Sequence, residues 1–313
     1  METMRARHRF VDMDELRWFI RVAESRTVTE AAETLHLSQP ALSRGLARLE
    51  RELGAPLFDR VGRVLRLNAN GEALLDGARR AVSAVDGARR TIGELADPDQ
   101  GTVNLAFLNT MGPLVVPTLL SSYRPRRPNV QFRLRQGGTE RIEQYLRDGL
   151  VDLLLISTPM SPDIVWQPLL TEPLVLVVPT THRLARRKSV RLAEVSDEPF
   201  VIFSRGFGMR PTTERLCREA GFTPKISCEG EDGATLRGLI GAGCGVGLIG
   251  PGPAPVPGVV ELPVSEPACF RTIGLGWCDR FMPAAADAFR TFASAEAKPP
   301  GIWRPFTLAL DTE

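Results

Sequence analysis

Thr27–Leu53, TVTEAAETLHLSQPALSRGLARLEREL, reads as two short helices joined by a tight turn. Thr27 stands three residues before Glu30 in a capping-box pattern, so a helix is expected to open at Val28. Val28, Ala31, Ala32 and Leu35 recur on one helical face, and the two alanines let a second helix cross closely. His36 and Leu37 make the turn; Ser38 is placed to cap the second helix, and Pro40 is tolerated in its first turn. At about 100° per residue, Leu42, Leu46, Leu49 and Leu53 share one arc. Pro40, Arg44, Ala47, Arg48 and Arg51 lie opposite, with Ser43 at their edge. A leucine stripe anchoring a helix whose outward face is small, hydrogen-bonding and cationic suits a helix-turn-helix, whose second helix enters the major groove by its N-terminal end. Gln39 can pair bidentately with adenine and Arg44 with guanine, while Ser43 can serve a base or a phosphate. Thr27, Pro40 and Arg48 complete the candidate surface. The competing reading of this stretch is a solvated arginine face on an ordinary helical hairpin.

The residues after Leu53 weigh against that alternative. Gly54 is a helix stop, Leu57 and Phe58 a hydrophobic tuck, and Val61–Gly62 a turn; Val64, Leu65 and Leu67 suit the return strand of a short wing. Arg60, Arg63 and Arg66 punctuate the wing, and Arg60 and Arg63 are candidates for the DNA backbone or the adjacent minor groove. The whole run AAETLHLSQPALSRGLARLERELGAPLFDR resembles the winged helix-turn-helix of LysR-type transcriptional regulators. The match lies in Ala-Ala, Leu, Ser-Gln-Pro-Ala-Leu-Ser-Arg, Leu-Glu, Leu-Gly and Leu-Phe-x-Arg, and it is ungapped. One departure is NANG (68–71), where the family usually has Thr-x-Ala-Gly; Asn68 can cap a helix as Thr does.

A chain of 313 residues has room for two to three domains. Its net charge of +2 confines any basic surface to a local patch. No apolar run long enough for a membrane span occurs, and the basic METMRARHRF is not followed by a signal-peptide h-region, so a cytoplasmic protein is expected. Cys217, Cys228, Cys244, Cys269 and Cys278 show no CxxC spacing and no clustering with the three histidines. They read as reduced thiols, with a Cys217–Cys228 redox pair as the minor alternative. No metal or cofactor is expected.

Residues 1–11 read as a disordered arm or, in part, an upstream start. A helix opened by Asp12 and Glu15 buries Leu16, Phe19, Ile20 and Ala23 and completes a three-helix core; Trp18 lies off that stripe, at the domain's edge or against the helix after the wing. Within 71–96, Leu74, Ala78, Ala81, Val85, Ala88, Ile92 and Leu95 alternate spacings of four and three, a heptad seam. A core helix would show the same stripe, but its length and position favour a dimer-forming linker. DPDQG (97–101) closes it. From Gly101 strands and helices alternate: VNLAFL, Pro113–Tyr123, VQFRLRQGG, TERIEQYLRDG and VDLLLIS predict a βαβαβ unit with a parallel sheet. A second unit runs PLVLVVP, a short helix in VRLAEVSD, PFVIFS, Thr212–Ala220, KISCEG, Asp232–Ala242 and GVGLIG; RTIGLGW then returns to the first unit and Pro283–Ala297 is a last helix.

The catalytic vocabulary is thin. Gly245–Gly250 fits GxGxxG literally, but Pro251-Gly252-Pro253 follows where a dinucleotide-binding helix must begin, so the glycines are read as close packing. No Walker, HExxH or GxSxG pattern occurs, and no enzyme is expected. Ligands of open α/β sheets sit beyond the carboxyl ends of strands. Those ends nominate Asn109, Thr110, Gly138, Thr139, Ser157, Thr158, Ser204, Arg205 and Glu231, with helix-start amides after Thr110 and Thr139 favouring an anionic group. Helix capping is the structural role that competes for the same residues.

The expected fold is thus α/β with an N-terminal winged helix-turn-helix (12–70), a long dimerising linker helix (71–96) and a two-lobed regulatory domain (101–297). Lobe I covers about 101–173 and 274–297, lobe II about 174–273, and 298–313 is an unassigned tail. The resemblance implies that the two lobes are periplasmic-binding-protein-like. It also implies a sequence-specific DNA-binding regulator reading promoter inverted repeats, a small-molecule effector between the lobes, RNA polymerase as a further partner, and a homodimer or a tetramer built as a dimer of dimers. The alternatives are an enzyme or solute-binding module with an accessory helical domain, or a regulator whose cleft answers to a protein partner.

Overall fold

A computed structural model of the chain describes residues 11–25, 27–61, 64–96, 100–252 and 255–296. The expectations for residues 1–10, Arg63 and 298–313 fall outside these, as do those for the side chains of Arg60 and Leu95. Two compact units are present, Met1–Arg89 and Arg90–Glu313.

In the first unit, helices α1 (Met13–Glu24), α2 (Val28–Thr34) and α3 (Gln39–Leu53) precede an antiparallel ribbon, β1 (Phe58–Val61) and β2 (Val64–Leu67), and the start of helix α4 (Ala69–Ala96). The caps read from sequence are in place. Thr27 accepts from the Glu30 amide (3.1 Å) and Ser38 from the Ala41 amide (3.4 Å). Asn68 Oδ1 accepts from the amides of Asn70 and Gly71 (both 3.0 Å), so Asn does the work expected of Thr at that position. Gly54 ends α3 in the left-handed conformation (φ 76°). The core is Leu16, Phe19, Val22, Ala31, Ala32, Leu42, Leu46, Leu49, Leu57 and Ala78.

Two details differ from expectation. Leu53, the last member of the leucine stripe, is exposed because α3 stops there. The position that completes the buried face is Gly45. The ring of Trp18 lies against it so closely that a Cβ would overlap Cε3 and Cζ3, so Trp18 packs against α3. The linker seam also divides. Leu74 and Ala78 belong to the core of the first unit, together with Leu75 and Val82. Asp86 pairs with Arg17 of α1 (2.5 Å) and Arg79 with Glu24 (2.9 Å). Ala81, Val85, Ala88 and Ile92 are exposed, Ile92 at 69%.

The second unit begins with β3 (Gly101–Leu108), a 3-10 turn (Asn109–Met111), α5 (Val115–Tyr123), β4 (Val130–Gly137), α6 (Thr139–Arg147), β5 (Leu153–Ile156) and β6 (Ile164–Pro173). It continues with β7 (Val175–Pro179), β8 (Val190–Arg191), a 3-10 turn (Leu192–Val195), β9 (Pro199–Phe203), α7 (Met209–Glu219), β10 (Lys225–Gly230) and α8 (Gly233–Gly241). Last come β11 (Gly247–Ile249), β12 (Val259–Glu266), β13 (Phe270–Cys278) and α9 (Ala284–Glu296). One sheet has the order β4-β3-β5-β13-β6; β4, β3 and β5 are parallel, as the βαβαβ reading requires, and β13 and β6 are antiparallel. Another has the order β11-β7-β12-β8, and β9 pairs in parallel with β10. Each lobe has its own hydrophobic core. The chain crosses between them at Pro173–Leu174 and again at Cys269–Phe270, where the Leu174 amide donates to the Cys269 carbonyl (2.8 Å).

Strands β6 and β12 do not show in the sequence pattern, because Pro168 and Pro263 interrupt their apolar runs. β6 tolerates a proline because it is the edge of its sheet, and its register shifts where Pro168 meets Gly274. VRLAEVSD, expected to be a helix, is a two-residue strand and a single 3-10 turn.

Candidate functional site

The surface facing away from the first unit's core is set by α3. Leu42, Gly45, Leu46 and Leu49 bury one side, which leaves Gln39, Pro40, Ser43, Arg44 and Arg48 exposed on the other. Thr27 is exposed at the N-terminus of α2. Gln39, Ser43 and Arg44 therefore share the N-terminal half of one exposed helix face. Arg48 has a second engagement that spacing could not reveal: its Nε binds the carboxylate of Glu15 on α1, a residue only 1% exposed. It ties α1 to α3. Arg51 Nε turns back onto the Ala47 carbonyl (3.1 Å). Glu50 Oε1 accepts from the Leu57 amide (2.8 Å) and fixes the path into the wing, another contact that spacing did not announce. Arg60 is placed by the backbone of β1, opposite Leu65.

The second surface is the facing edges of the two lobes. Asn109 Nδ2 donates to the backbone carbonyl of Glu231 (3.1 Å), and the Thr139 amide, first in α6, donates to the Gly206 carbonyl (2.9 Å). Each bond joins a strand end of one lobe to a loop of the other. Gly138 precedes α6 without a side-chain cap, so the Gly206 carbonyl takes the place of a cap. Thr139 is 1% exposed, and its Oγ1 has no hydrogen-bond partner among the described residues. Ser204 is half-buried at the end of β9 and its amide donates to the Gly230 carbonyl (2.8 Å). Ser157 is half-buried and Thr158 exposed just after β5; Arg205 is exposed beside Gly206. Thr110 Oγ1 accepts from Arg271 Nη1 (2.7 Å).

Arg271 and Glu172 do not stand out in the sequence, yet they organise the base of this region. They are register partners on β13 and β6, their side chains are each 3% exposed, and Arg271 Nε binds Glu172 Oε2. The guanidinium is thus neutralised while it holds Thr110. Arg210 is a buried anchor. It bonds Glu214 (2.5 Å), Glu229 (2.8 Å) and the Phe203 carbonyl (3.1 Å), and its bond to Glu214, against the cost of burial and helped by Glu229, raises its already high pKa. Asp232 caps α8 through the amides of Ala234 (3.0 Å) and Thr235 (2.9 Å). Burial pushes its carboxyl up, but the Thr235 hydroxyl and these two amides outweigh that and hold it below the usual carboxylate range.

The glycines of GxGxxG serve packing. A Cβ at Gly245 (φ 143°) would strike the Pro199 carbonyl; one at Gly247 would meet the Val201 carbonyl at 2.8 Å and Ile240 at 3.0 Å; one at Gly250 would meet Glu172 Oε2 at 2.8 Å and Arg271 Nη2 at 2.9 Å. Among the described residues, no helix is long and apolar enough to cross a membrane.

A winged helix-turn-helix followed by a long helix and a two-lobed α/β unit defines a ligand-responsive DNA-binding regulator. The chain belongs to the LysR family: residues 13–72 match the bacterial regulatory helix-turn-helix protein model of the lysR family, and 96–298 the LysR substrate binding domain. It is 37% identical over 270 residues to the transcriptional dual regulator GltC of Bacillus subtilis (strain 168), covering 85% of this chain and 90% of that one. The crystal structure of CbnR, a LysR family transcriptional regulator, shares the fold with a TM-score of 0.75 at 24% identity, over 92% of this chain and 99% of that one. The effector binding domain of QuiR in complex with shikimate matches 64% of this chain and 99% of its own length, with a TM-score of 0.60 at 29% identity. The protein is therefore a DNA-binding transcriptional regulator with an effector-binding domain, from a family of regulators rather than enzymes.

Proposed function

We propose that this regulator reads promoter inverted repeats as a dimer in the cytoplasm and changes its footprint when a small anionic molecule binds between its lobes. The observation that carries the DNA reading is the N-terminal half of α3, where Gln39, Ser43 and Arg44 stand exposed opposite the buried Leu42, Leu46 and Leu49. Gln39 and Arg44 read base edges; Ser43, Thr27 and Pro40 set the approach; Arg60 and Arg63 of the wing track the backbone or the adjacent minor groove. We assign Arg48 first to holding α1 and only through its remaining N–H groups to phosphate.

The exposed part of the seam, Ala81, Val85, Ala88 and Ile92, is the dimer contact. The effector site comprises Asn109, Thr110, Gly138, Thr139, Ser157, Thr158, Ser204, Arg205 and Glu231. An anion is favoured by the N-terminus of α6 and by Arg205, and shikimate, bound in the QuiR domain, is a carboxylate. RNA polymerase is the partner that turns the altered footprint into transcription, and a dimer of dimers is the assembly.

Footprinting and affinity measurements on the chain's own operator test this reading. Arg44→Ala should weaken specific binding by about 1–3 kcal/mol and relax one position of each half-site. Val85→Glu with Ile92→Glu should leave the chain folded but remove inverted-repeat binding and dimerisation through the linker. Unchanged base preference in the first variant would overturn the orientation of α3. A linker that stayed dimeric in the second would overturn the seam.

A further inference from the structure

We propose that Arg90 is a positioning residue: its ion pair with Asp152 fixes the end of α4 to lobe I, and through that pair a movement of the lobes reaches the DNA-reading half of the chain. The boundary between the two compact units falls inside α4, between Arg89 and Arg90. From Arg90 onward the helix belongs to the second unit, where Arg90 Nη2 donates to Asp152 Oδ1 (3.0 Å), 62 positions along the chain. The two side chains are 27% and 5% exposed. Among the described residues just beyond Arg90, Ile92 is 69% exposed and a Cβ at Gly93 would meet nothing within 4 Å. The bond thus holds a helix end that packs loosely.

The carboxylate is built into the sheet. Asp152 stands immediately before β5, and its amide donates to the carbonyl of Asn104 on β3 (2.8 Å). Its Oδ2 accepts from both the amide and the side-chain nitrogen of Asn104, each at 2.8 Å, and Asn104 is itself buried. These bonds leave Oδ1 for Arg90 and stop the carboxylate from following a moving helix. The neighbours Val103, Leu105 and Leu153 are fully buried, so Asp152 moves when lobe I moves. An exposed pair would contribute little, but here one partner is an anchored, buried acid.

The ordinary partner for Arg90 lies on its own helix. Asp86 stands four positions earlier, the spacing and order in which an acid and a base pair along a helix. Instead Asp86 is taken by Arg17 of α1, and Arg90 by Asp152. Successive turns of α4 therefore carry a tie to the first unit and a tie to the second, about 6 Å apart along the helix axis. Over so short a span an unbroken helix is stiff, and a displacement at Arg90 arrives at Asp86. Without the guanidinium the last turns of α4 fray, and the displacement is taken up there. Releasing Arg90 also frees it to compete with Arg17 for Asp86.

The test uses the full chain and reads two things: hydrogen exchange along α4, and the footprint on the DNA that the parent protects, whatever the symmetry of that site. Arg90→Met should speed exchange of the Thr91–Ala96 amides by about fivefold and leave Leu74–Val82 as in the parent. It should also change the length of DNA protected, while affinity for a single half-site stays within about twofold. Arg90→Lys should restore both. Arg90→Met with Asp152→Asn removes the unpaired buried acid and keeps an acceptor for Asn104, so its urea midpoint should return towards the parent's. Exchange and footprint should stay altered in that double variant, whereas a merely structural pair would recover all three together. Unchanged exchange in Arg90→Met would overturn the proposal, as would a parental footprint with exchange raised. A protected site without inverted symmetry would count against the function proposed above and leave this comparison intact.

Discussion

In the first unit the polar side chains that cap the helices bond near themselves in sequence; in the second, side chains at the strand ends reach across much of the unit. Thr27, Ser38 and Asn68 each bond an amide two or three positions on. Asn109 bonds a carbonyl 122 positions away, and Arg271 bonds Glu172 across 99 positions and Thr110 across 161. A reading head whose surface is fixed by local caps is a rigid shape that can be carried about whole. A cleft fixed by bonds between distant segments can change when a ligand competes for one of them. The difference lies in how the chain is tied together rather than in the kind of bond.

The sharpest way to break that comparison is at the long-range end. Glu172→Met leaves Arg271 buried without its carboxylate and should destabilise the second unit by about 3–5 kcal/mol, read from urea unfolding of the full chain. Adding Arg271→Met should recover most of the loss, because the pair is then replaced by apolar volume. If the single change cost no more than a surface substitution, bonds between segments distant in sequence would not be what organises that unit. Gly45→Ala tests the head at its tightest point. The added methyl meets the Trp18 ring, so about 1–3 kcal/mol of stability should be lost with Trp18 fluorescence altered. The smallest effect is local: Asn68→Ala should cost about 1 kcal/mol, and Asn68→Thr should restore most of it. A loss at Asn68 equal to that at Glu172 would erase the distinction between the two regions.

The same difference governs how much of each region is legible in the sequence. The head is legible because capping residues and leucines act at fixed offsets, so Ser38, Asn68, Leu42 and Leu49 announce their own environments. Arg48 is legible only in half: its place on the outward face follows from the wheel, but its bond to Glu15 depends on how α1 crosses α3. In the second unit the strand ends can be placed well enough to nominate Asn109, Thr110 and Thr139, because strand-to-helix alternation is also a local signal. Their partners stay hidden. Glu231 attracts notice for its carboxylate, and it is its carbonyl that receives Asn109. Arg271 and Glu172 become neighbours only through the pairing of β6 with β13, and Pro168 conceals β6. The GxGxxG glycines can be refused a cofactor role from the prolines after them, but the surfaces they admit, Pro199, Val201 and the Glu172–Arg271 pair, require the fold.

The bond from the Thr139 amide to the Gly206 carbonyl bears on sensitivity. An effector that seeks the first amide of α6 finds it already engaged by the protein's own backbone, and it binds in proportion to how often that contact opens. Its apparent dissociation constant is the intrinsic one divided by the open fraction. With the amide free about one-hundredth of the time, an intrinsically micromolar ligand would register at about a hundred times that concentration. For an effector bound at that amide the contact would work as a threshold. Small changes in the loop around Gly206 would then move the concentration at which the regulator responds, without altering any atom that touches the ligand.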